Sequence, residues 1–249
     1  MGLTAIGAGW VDAVVGGGGL IQIPALLLGF PQATPVQILA TNKLASICGT
    51  STSAVTYYRR VVPDLRTAIP LAALAFAGSL IGASLVSHIS RAAFNPIILV
   101  VLIGVGAYTL LKPDLGTVTD LRFSVHRNLL AATAVGFLIG IYDGALGPGT
   151  GSFLVIALVG LLGYSFLQAS AKAKIANVAT NLAALVIFIP AGAVMWKVGL
   201  LMGLGNLVGG YLGARTAVAR GAGFVRVILV IVLGVFIVKI GLEVVKQLS

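Results

Sequence analysis

The sequence predicts an all-α polytopic membrane protein, with about eight transmembrane segments arranged as two homologous repeats of four segments each. The first observation is composition: 59% of the 249 residues are hydrophobic and only 9% are charged, whereas soluble domains carry about 25% charged residues. The second is length, because the apolar segments reach the roughly 20 residues that a membrane-spanning helix needs. The third is an internal repeat at a constant offset of 131 residues.

Eight apolar segments follow one another along the chain. They cover residues 3–29, 35–58, 67–88, 92–111, 129–163, 166–189, 193–218 and 224–245. One sizeable polar stretch, KPDLGTVTDLRFSVHR at 112–127, divides the chain almost equally. We therefore predict a first membrane repeat at 1–112, a polar linker at 113–127 and a second membrane repeat at 128–249.

The repeat is visible as identical residues at matched positions of the two halves. Asp12 matches Asp143, and Lys43 matches Lys174. Glycines match from the first segment to the third, in the pairs Gly9 and Gly140, Gly16 and Gly147, Gly18 and Gly149, Gly78 and Gly209, and Gly82 and Gly213. Duplicated halves are typical of transporters, which bind substrate at the interface between the repeats.

The first segment of each repeat is broken by a glycine-rich stretch. VVGGGGLIQIP interrupts segment 3–29, and ALGPGTGSFLV interrupts segment 129–163. Because glycine costs about 1 kcal/mol relative to alanine inside a helix, each stretch predicts a helix break. Interrupted segments at corresponding positions of two halves are the best sequence indication of a transport site.

Two topologies fit this pattern. If both broken segments cross the membrane, the halves are parallel, and if both turn back within it, the halves are inverted. The positive-inside rule does not decide, because nine loop Lys and Arg residues lie on one side and four on the other in either arrangement. The length of segment 129–163 favours full crossing and hence eight spans.

Five ionisable residues lie well inside the apolar segments. They are Asp12, Lys43, Asp143, Lys172 and Lys174. A charge at the bilayer centre costs at least about 2.5–3.5 kcal/mol, so such residues are functional candidates by default. Helical spacing places Lys43, Ser46 and Thr50 on one face of their helix, and Lys174, Asn177 and Asn181 on one face of the matching helix.

These residue types suit a small oxyanion. Lysine supplies a positive charge with three donors, and main-chain N–H groups at a helix start bind anions. The predicted substrate-binding residues are Gly16, Gly17, Gly18, Gly19, Asn42, Lys43, Ser46 and Thr50 in the first half, and Gly147, Gly149, Thr150, Gly151, Lys174, Asn177 and Asn181 in the second. Asp12 and Asp143 are the candidates for proton coupling.

Structural interpretations compete with this one. Gly78, Gly82, Gly209 and Gly213 suit close packing of membrane helices. Structural ion pairs within each half would join Lys43 to Asp12 and Lys174 to Asp143. The side chain of Lys172, on a different face from Lys174, would extend to the membrane interface.

Other classes of function find little support. Positive charge gathers at segment ends without interleaved aromatic residues, which disfavours nucleic-acid binding despite a net charge of +10. The lone Cys48 and the two histidines form neither a nucleophile with its base nor a metal site, so we expect no enzyme, no metal and no cofactor. The expected partners are a small anionic substrate and the lipid bilayer, and the sequence leaves a homo-oligomer open.

The broken segments resemble a known family. GWVDAVVGGGGLIQIPALLL followed by ATNKLAS resembles the first-repeat signature of the TauE/SafE sulfite-exporter-like permeases, and GIYDGALGPGTGSFLVIALVGLLG followed by AKAKIANVATNLAAL resembles the second. The signature residues fall on Asp12, Gly16, Gly17, Gly18, Gly19, Pro24, Asn42 and Lys43, and on Asp143, Gly147, Pro148, Gly149, Gly151, Lys174, Asn177 and Asn181. The sequence departs from the signature at Lys172-Ala173, where an uncharged polar pair is expected.

The resemblance implies a transporter of the bacterial cytoplasmic (inner) membrane. It implies export of a small anion, a sulfur oxyanion or organosulfonate such as sulfite or sulfoacetate, with alternating access at the repeat interface as the mechanism. The alternative is an anion channel, or a permease for another small oxyanion or carboxylate.

Overall fold

The computed structural model describes residues 1–86, 103, 116 and 118–248, and these residues form helices without any β-strand. The helices are α1 (Gly2–Val15), α2 (Gly18–Gly29), α3 (Pro35–Val61), α4 (Leu65–Leu85), α5 (Val125–Ala145), α6 (Thr150–Gly160), α7 (Phe166–Phe188) and α8 (Trp196–Leu248). Helix α8 is bent at Gly221, whose φ is 79°. The segment expected at 92–111 and most of the N-terminal part of the linker lie outside the described residues.

Four of these helices are long and apolar enough to cross a membrane. They are α4, α5, α7 and the part of α8 from Trp196 to Val235. Helices α1, α2 and α6 are apolar but shorter, with 14, 12 and 11 residues. At 1.5 Å per residue each measures about 21 Å or less, which is well below the hydrocarbon thickness of about 30 Å.

Each broken segment turns back on itself. Gly16 ends α1 in the left-handed conformation with φ 81°, Gly18 then lies beside Ala8 and Asp12, and Gly29 reaches the side chain of Met1. Helices α1 and α2 are therefore antiparallel arms of a hairpin whose two ends meet. The expectation that this segment crosses the membrane is wrong, because the left-handed glycine reverses the chain.

The second broken segment forms a matching hairpin from α5 and α6. Gly147 and Gly149 have φ values of 86° and 78°, so the chain reverses there as well. At the open end of the hairpin, the Asn128 amide donates to the Tyr164 hydroxyl over 2.9 Å. The described helices therefore do not form eight full membrane spans.

The two hairpins enter the protein from opposite ends and meet at their tips. The amide of Gln168, at the start of α7, donates to the carbonyl of Val61, at the end of α3, and Met195 N–H, before α8, donates to Thr41 near the start of α3. The two halves thus run in opposite directions. We call the end where α3 begins end A and the end where α3 finishes end B.

Charge is distributed unequally between the two ends. The eight described arginines lie towards end B, and they are Arg59, Arg60, Arg66, Arg122, Arg127, Arg215, Arg220 and Arg226. Lys197 lies at the start of α8, at end A. Because cytoplasmic loops of membrane proteins collect Lys and Arg, this distribution indicates that end B faces the cytoplasm.

Glycines let the helices of the two halves approach closely. Gly78 and Gly82 of α4 lie against backbone carbonyls of α5, at Phe137 and Ile141. Gly209 and Gly213 of α8 lie against backbone carbonyls of α1, at Ile6 and Trp10. The packing role expected for these four glycines is confirmed, and the contacts in one interface match those in the other at the offset of 131.

Candidate functional site

The hairpin tips bring two buried ion pairs to the middle of the protein. The first joins Lys43 of α3 to Asp143 of α5, with 2.5 Å between Lys43 Nζ and Asp143 Oδ2. Only 3% of the lysine side chain and 5% of the aspartate side chain are exposed. A charge pair withdrawn from solvent in this way is stable only when both partners remain charged and hydrogen-bonded.

The second pair joins Lys174 of α7 to Asp12 of α1. The distance between Lys174 Nζ and Asp12 Oδ2 is 3.1 Å, and the side chains are 1% and 14% exposed. The same ammonium group also donates to the main-chain carbonyl of Asp12. Lys174 thus binds the end of α1 through both the side chain and the backbone.

Both pairs cross between the two halves of the chain. The expected structural bridges, Lys43 with Asp12 and Lys174 with Asp143, are wrong. Because the halves are inverted, the tip of each hairpin faces the lysine-bearing helix of the other half. The ion pairs therefore connect the two halves.

Each carboxylate has a further donor at the start of the second hairpin arm. Asp12 Oδ1 accepts from the N–H of Gly18 over 3.2 Å, and Asp143 Oδ1 accepts from the hydroxyl of Thr150 over 2.6 Å. Gly18 and Thr150 are the first residues of α2 and α6. The positive dipole ends of these two helices thus point towards the ion pairs, in an arrangement that stabilises anions.

The predicted glycines occupy different parts of the contact between the tips. Gly16 packs on the backbone of Gly151, and beside them the hydroxyl of Ser152 donates to the carbonyl of Val15 over 2.7 Å. Gly19 lies near the amide of Asn42, and Gly147 lies beside the ammonium group of Lys43.

Two further predicted glycines face apolar groups. A side chain at Gly17 would contact Val11 and Val232, and one at Gly149 would contact Leu20 and Phe153. The chain reversals account for both glycines, because Gly149 has a positive φ and Gly17 precedes the first turn of α2.

The polar stripes of α3 and α7 meet between the ion pairs. The amide of Asn181 donates to the hydroxyl of Thr50 over 3.4 Å, and these two residues are separated by the repeat offset of 131. Thr50 itself donates to the carbonyl of Ser46. The stripes predicted on separate helices therefore come together in the structure.

Two buried amides of the site have an unused oxygen atom. Asn42 Oδ1 and Asn177 Oδ1 have no hydrogen-bond donor among the described residues. A buried polar atom without a partner costs about 1–3 kcal/mol, so these amides are unusual for a finished core. Since an amide group can rotate by 180°, each could present either its oxygen or its NH₂ group to a ligand.

Lys172 lies apart from both pairs. Its ammonium group is 4.4 Å from the ring centroid of Tyr164 and 3.4 Å from the amide oxygen of Gln168. The residue is buried within the protein, and its ammonium group lies beside residues at the start of α7, so the expectation that it extends to the membrane interface stays a prediction. The aromatic ring and the amide take the place of water around its charge.

Several residues of the site were not predicted. The amide of Gln22 donates to Asn206 over 2.8 Å in a buried contact between α2 and α8, and the Tyr142 hydroxyl donates to the carbonyl of Pro148 over 2.6 Å. Tyr57 donates to the carbonyl of Ala13. Gln22 could have been found as the polar residue of an apolar helix, whereas neither tyrosine has a matching residue in the other half.

Comparison with known proteins gives one family and several relatives. The model of the sulfite exporter TauE/SafE family matches residues 1–240. The "Probable membrane transporter protein ORF9" of Sinorhizobium is 41% identical over 231 residues, covering 92% of this chain and 87% of the relative. "Probable membrane transporter protein YfcA" of Escherichia coli K12 is 38% identical, covering 95% and 87%. A "Probable membrane transporter protein" of Haemophilus influenzae is 37% identical, covering 90% and 86%. No solved structure matches significantly.

Proposed function

Because this chain belongs to the sulfite exporter TauE/SafE family, a family of membrane transporters, we propose that it is a secondary transporter that exports a small sulfur oxyanion or organosulfonate. Sulfite and sulfoacetate are the proposed substrates, and the bacterial inner membrane is the proposed location. The proposed mechanism is alternating access at the interface between the two inverted halves.

The observation that carries the proposal is the pair of buried lysine–aspartate contacts. Each lysine comes from one half and each aspartate from the other. Inverted halves with short helices that end near the middle of the membrane are typical of transporters, and the starts of such helices bind anionic groups. Lys43 and Lys174, with the starts of α2 and α6, supply this chemistry here.

In the proposed mechanism the substrate competes with an aspartate for its lysine. An incoming oxyanion takes the place of the Asp12 or Asp143 carboxylate beside the ammonium group. The displaced carboxylate loses its counter-charge in a buried setting, which favours its protonated form. Anion binding and proton binding are thereby coupled at the same pair.

The same competition explains how the two halves could move. While both ion pairs are formed, the tip of each hairpin is held against a helix of the other half. Replacing a carboxylate with a mobile anion removes one of these connections. The halves can then rock about the substrate, as alternating access requires.

Transport in proteoliposomes tests the proposal. Radiolabelled sulfite uptake is measured for the wild type, Lys43→Gln, Lys174→Gln and the control Lys197→Gln, which removes an exposed charge at end A. We expect loss of saturable uptake in the first two variants and unchanged uptake in the control. Equal uptake in all four would show that the lysine pairs do not bind the substrate.

The pH dependence of transport tests the coupling separately. In Asp12→Asn the displaced group no longer takes up a proton, so sulfite flux should lose its dependence on an imposed pH gradient. An unchanged response to the gradient would exclude proton coupling at Asp12. Ion currents above roughly a million charges per second, far above a typical turnover of about 1–10³ per second, would favour a channel over a transporter.

A further inference from the structure

A crevice of about 710 Å³ lies between α3 and α8 near end B, away from the ion pairs. It is on the outer surface of the helices, since Val55 and Tyr211 in its walls are exposed. The buried face of α3 points elsewhere, with Ser53 and Tyr57 directed into the protein. In a membrane the crevice therefore opens sideways towards lipid.

The mouth of this crevice is strongly basic. Arg59, Arg60 and Arg215 line it, and none of its lining residues is acidic. Among the described residues no carboxylate lies within ion-pair distance of these arginines. Arg215 is instead 3.5 Å from the hydroxyl of Tyr211. The three guanidinium groups are available to an anion, and guanidinium is well suited to bidentate binding of phosphate.

The deeper part of the crevice is less polar. Val55 and the ring of Tyr211 contribute to its walls, and the hydroxyls of Thr52 and Thr56 donate to carbonyls of their own helix. From Arg59 down to Ser51 the lining follows two turns of α3, which is about 12 Å at 1.5 Å per residue. A charged mouth above a mainly apolar slot matches an acidic headgroup with its acyl chain.

The other half of the chain has no equivalent of this basic mouth. At the offset of 131, Arg59 and Arg60 correspond to Pro190 and Ala191, and Arg215 corresponds to Ser84. Val55, by contrast, corresponds to Val186. The valine of the wall is thus common to both halves, whereas the positive charges are specific to the surface at end B.

We propose that the crevice between α3 and α8 binds an anionic phospholipid, with the phosphate held by Arg59, Arg60 and Arg215 and an acyl chain along Val55 and the ring of Tyr211. Basic pockets between transmembrane helices on the cytoplasmic side bind acidic lipid headgroups. The site is separate from the ion pairs, so the inference does not depend on the transported substrate.

Native mass spectrometry of the full-length, detergent-purified chain tests the proposal. Phosphatidylglycerol and phosphatidylcholine with identical acyl chains are titrated, and the bound lipids are counted. We expect the wild type to retain phosphatidylglycerol preferentially, and Arg59→Gln/Arg215→Gln to bind it roughly fivefold less for each arginine removed. Equal retention of the two lipids by the wild type would overturn the proposal without any variant.

The matched control is Arg66→Gln/Arg127→Gln. It removes two charges from the same end outside the crevice, so it carries the same change in net charge. Its phosphatidylglycerol binding should equal that of the wild type, and a loss as large as in the crevice variant would reduce the effect to general surface charge.

Two further measurements identify the occupant. Val55→Gln should weaken phosphatidylglycerol binding, and millimolar inorganic phosphate should not displace the lipid, because both the acyl chain and the headgroup contribute. Full displacement by phosphate would contradict a lipid site. So would a lipid-free dimer that Arg59→Gln/Arg215→Gln abolishes, since a second copy of the chain would then occupy the crevice.

Discussion

The two ion pairs are built from matching residues, yet their surroundings differ. The Lys43–Asp143 pair is the shorter and more deeply buried, with Asp143 supported by the hydroxyl of Thr150. The Lys174–Asp12 pair is longer, and Asp12 is supported by a main-chain N–H and is more exposed. Gly19 stands at the position that matches Thr150. The two pairs thus carry the same charges, while Asp12 is the more exposed of the two carboxylates.

The largest expected loss of stability comes from replacing the lysine of either ion pair. Lys43→Met leaves Asp143 charged and buried, and breaking a buried pair in this way costs about 3–5 kcal/mol. Lys174→Met should cost less, because Asp12 is partly exposed, whereas Asp143 is almost fully buried. Thermal unfolding in detergent measures the difference. Lys43→Met/Asp143→Leu is the control, since it removes both charges and should recover most of the lost stability.

A lower melting temperature for Lys174→Met than for Lys43→Met would reverse this comparison. The exposed fractions of the two carboxylates would then not decide the cost of breaking the pairs. The double variant remains informative in either case, because failure to recover stability would show that Lys43 acts through packing as well as charge.

The next effect concerns the hydroxyl that distinguishes the two pairs. Thr150→Val removes a hydrogen bond to a charged group, which contributes about 1.5–3 kcal/mol. The converse change, Gly19→Ser, introduces a hydroxyl in the first turn of α2. A Cβ at Gly19 would lie 3.6 Å from Asn42 Nδ2 and from Pro148 Cα, so a small side chain fits there.

Melting temperatures of both variants test whether the hydroxyl at this position accounts for the difference in stability between the two ion pairs. We expect Thr150→Val to melt below the wild type and Gly19→Ser to melt at or above it. A destabilised Gly19→Ser protein would show that the glycine is needed for backbone conformation instead.

The sequence predicted the members of the site but not their partners. The offset of 131 identifies equivalent positions such as Lys43 and Lys174, but it carries no information on which half each residue contacts. The same limit applies to the hairpins, because a segment that crosses and one that turns back are equally apolar. Arg215, Arg220 and Arg226 changed sides between the two topologies, and only the contacts of α8 at end B assign them.

Other features were predictable because a local rule determines them. Consecutive glycines predicted the breaks, and the structure has Gly16 and Gly147 in the left-handed conformation there. Threonine or serine followed by glutamine three residues later marks a helix start, and Thr34 and Ser165 do begin α3 and α7. No local rule predicts the buried hydrogen bond of Tyr57, because a tyrosine near a helix end is equally typical of the membrane interface.

A smaller effect is expected where the two halves are most alike, at their glycine interfaces. Gly78→Ala and Gly209→Ala would each place a methyl group against a carbonyl of the facing helix, at Phe137 and Ile6. Overpacking of this kind costs about 1–3 kcal/mol, and the two losses should be similar. Gly7→Ala is the control, because nothing lies within 4 Å of an added Cβ there. Thermal unfolding measures all three, and unequal losses would show that the interfaces differ in rigidity.

The smallest effect is expected at the start of α4, where the halves again differ. Asp64 accepts from Arg66 N–H over 3.0 Å and from the Thr67 hydroxyl over 2.7 Å, whereas Met195, the matching residue before α8, has no side-chain oxygen to offer. Removing an N-cap costs about 0.5–2 kcal/mol, so Asp64→Ala should lower the free energy of unfolding by that amount at neutral pH. Asp64→Asn keeps an N-cap oxygen and should lose less.

The pH dependence of this cap has a definite sign. Partial burial alone would raise the pKa of Asp64, but hydrogen bonds from Thr67 and Arg66 and the charge of Lys172 hold the pKa below its usual range. A carboxyl group with a lowered pKa stabilises the fold above its unfolded pKa of about 3.9, and this stabilisation is lost as the pH falls through the folded value. The difference in melting temperature between the wild type and Asp64→Asn should therefore be constant from neutral pH to about pH 5 and should shrink below about pH 4. A difference that persists unchanged in acid would mean that the geometry of the aspartate, and not its charge, stabilises the start of α4.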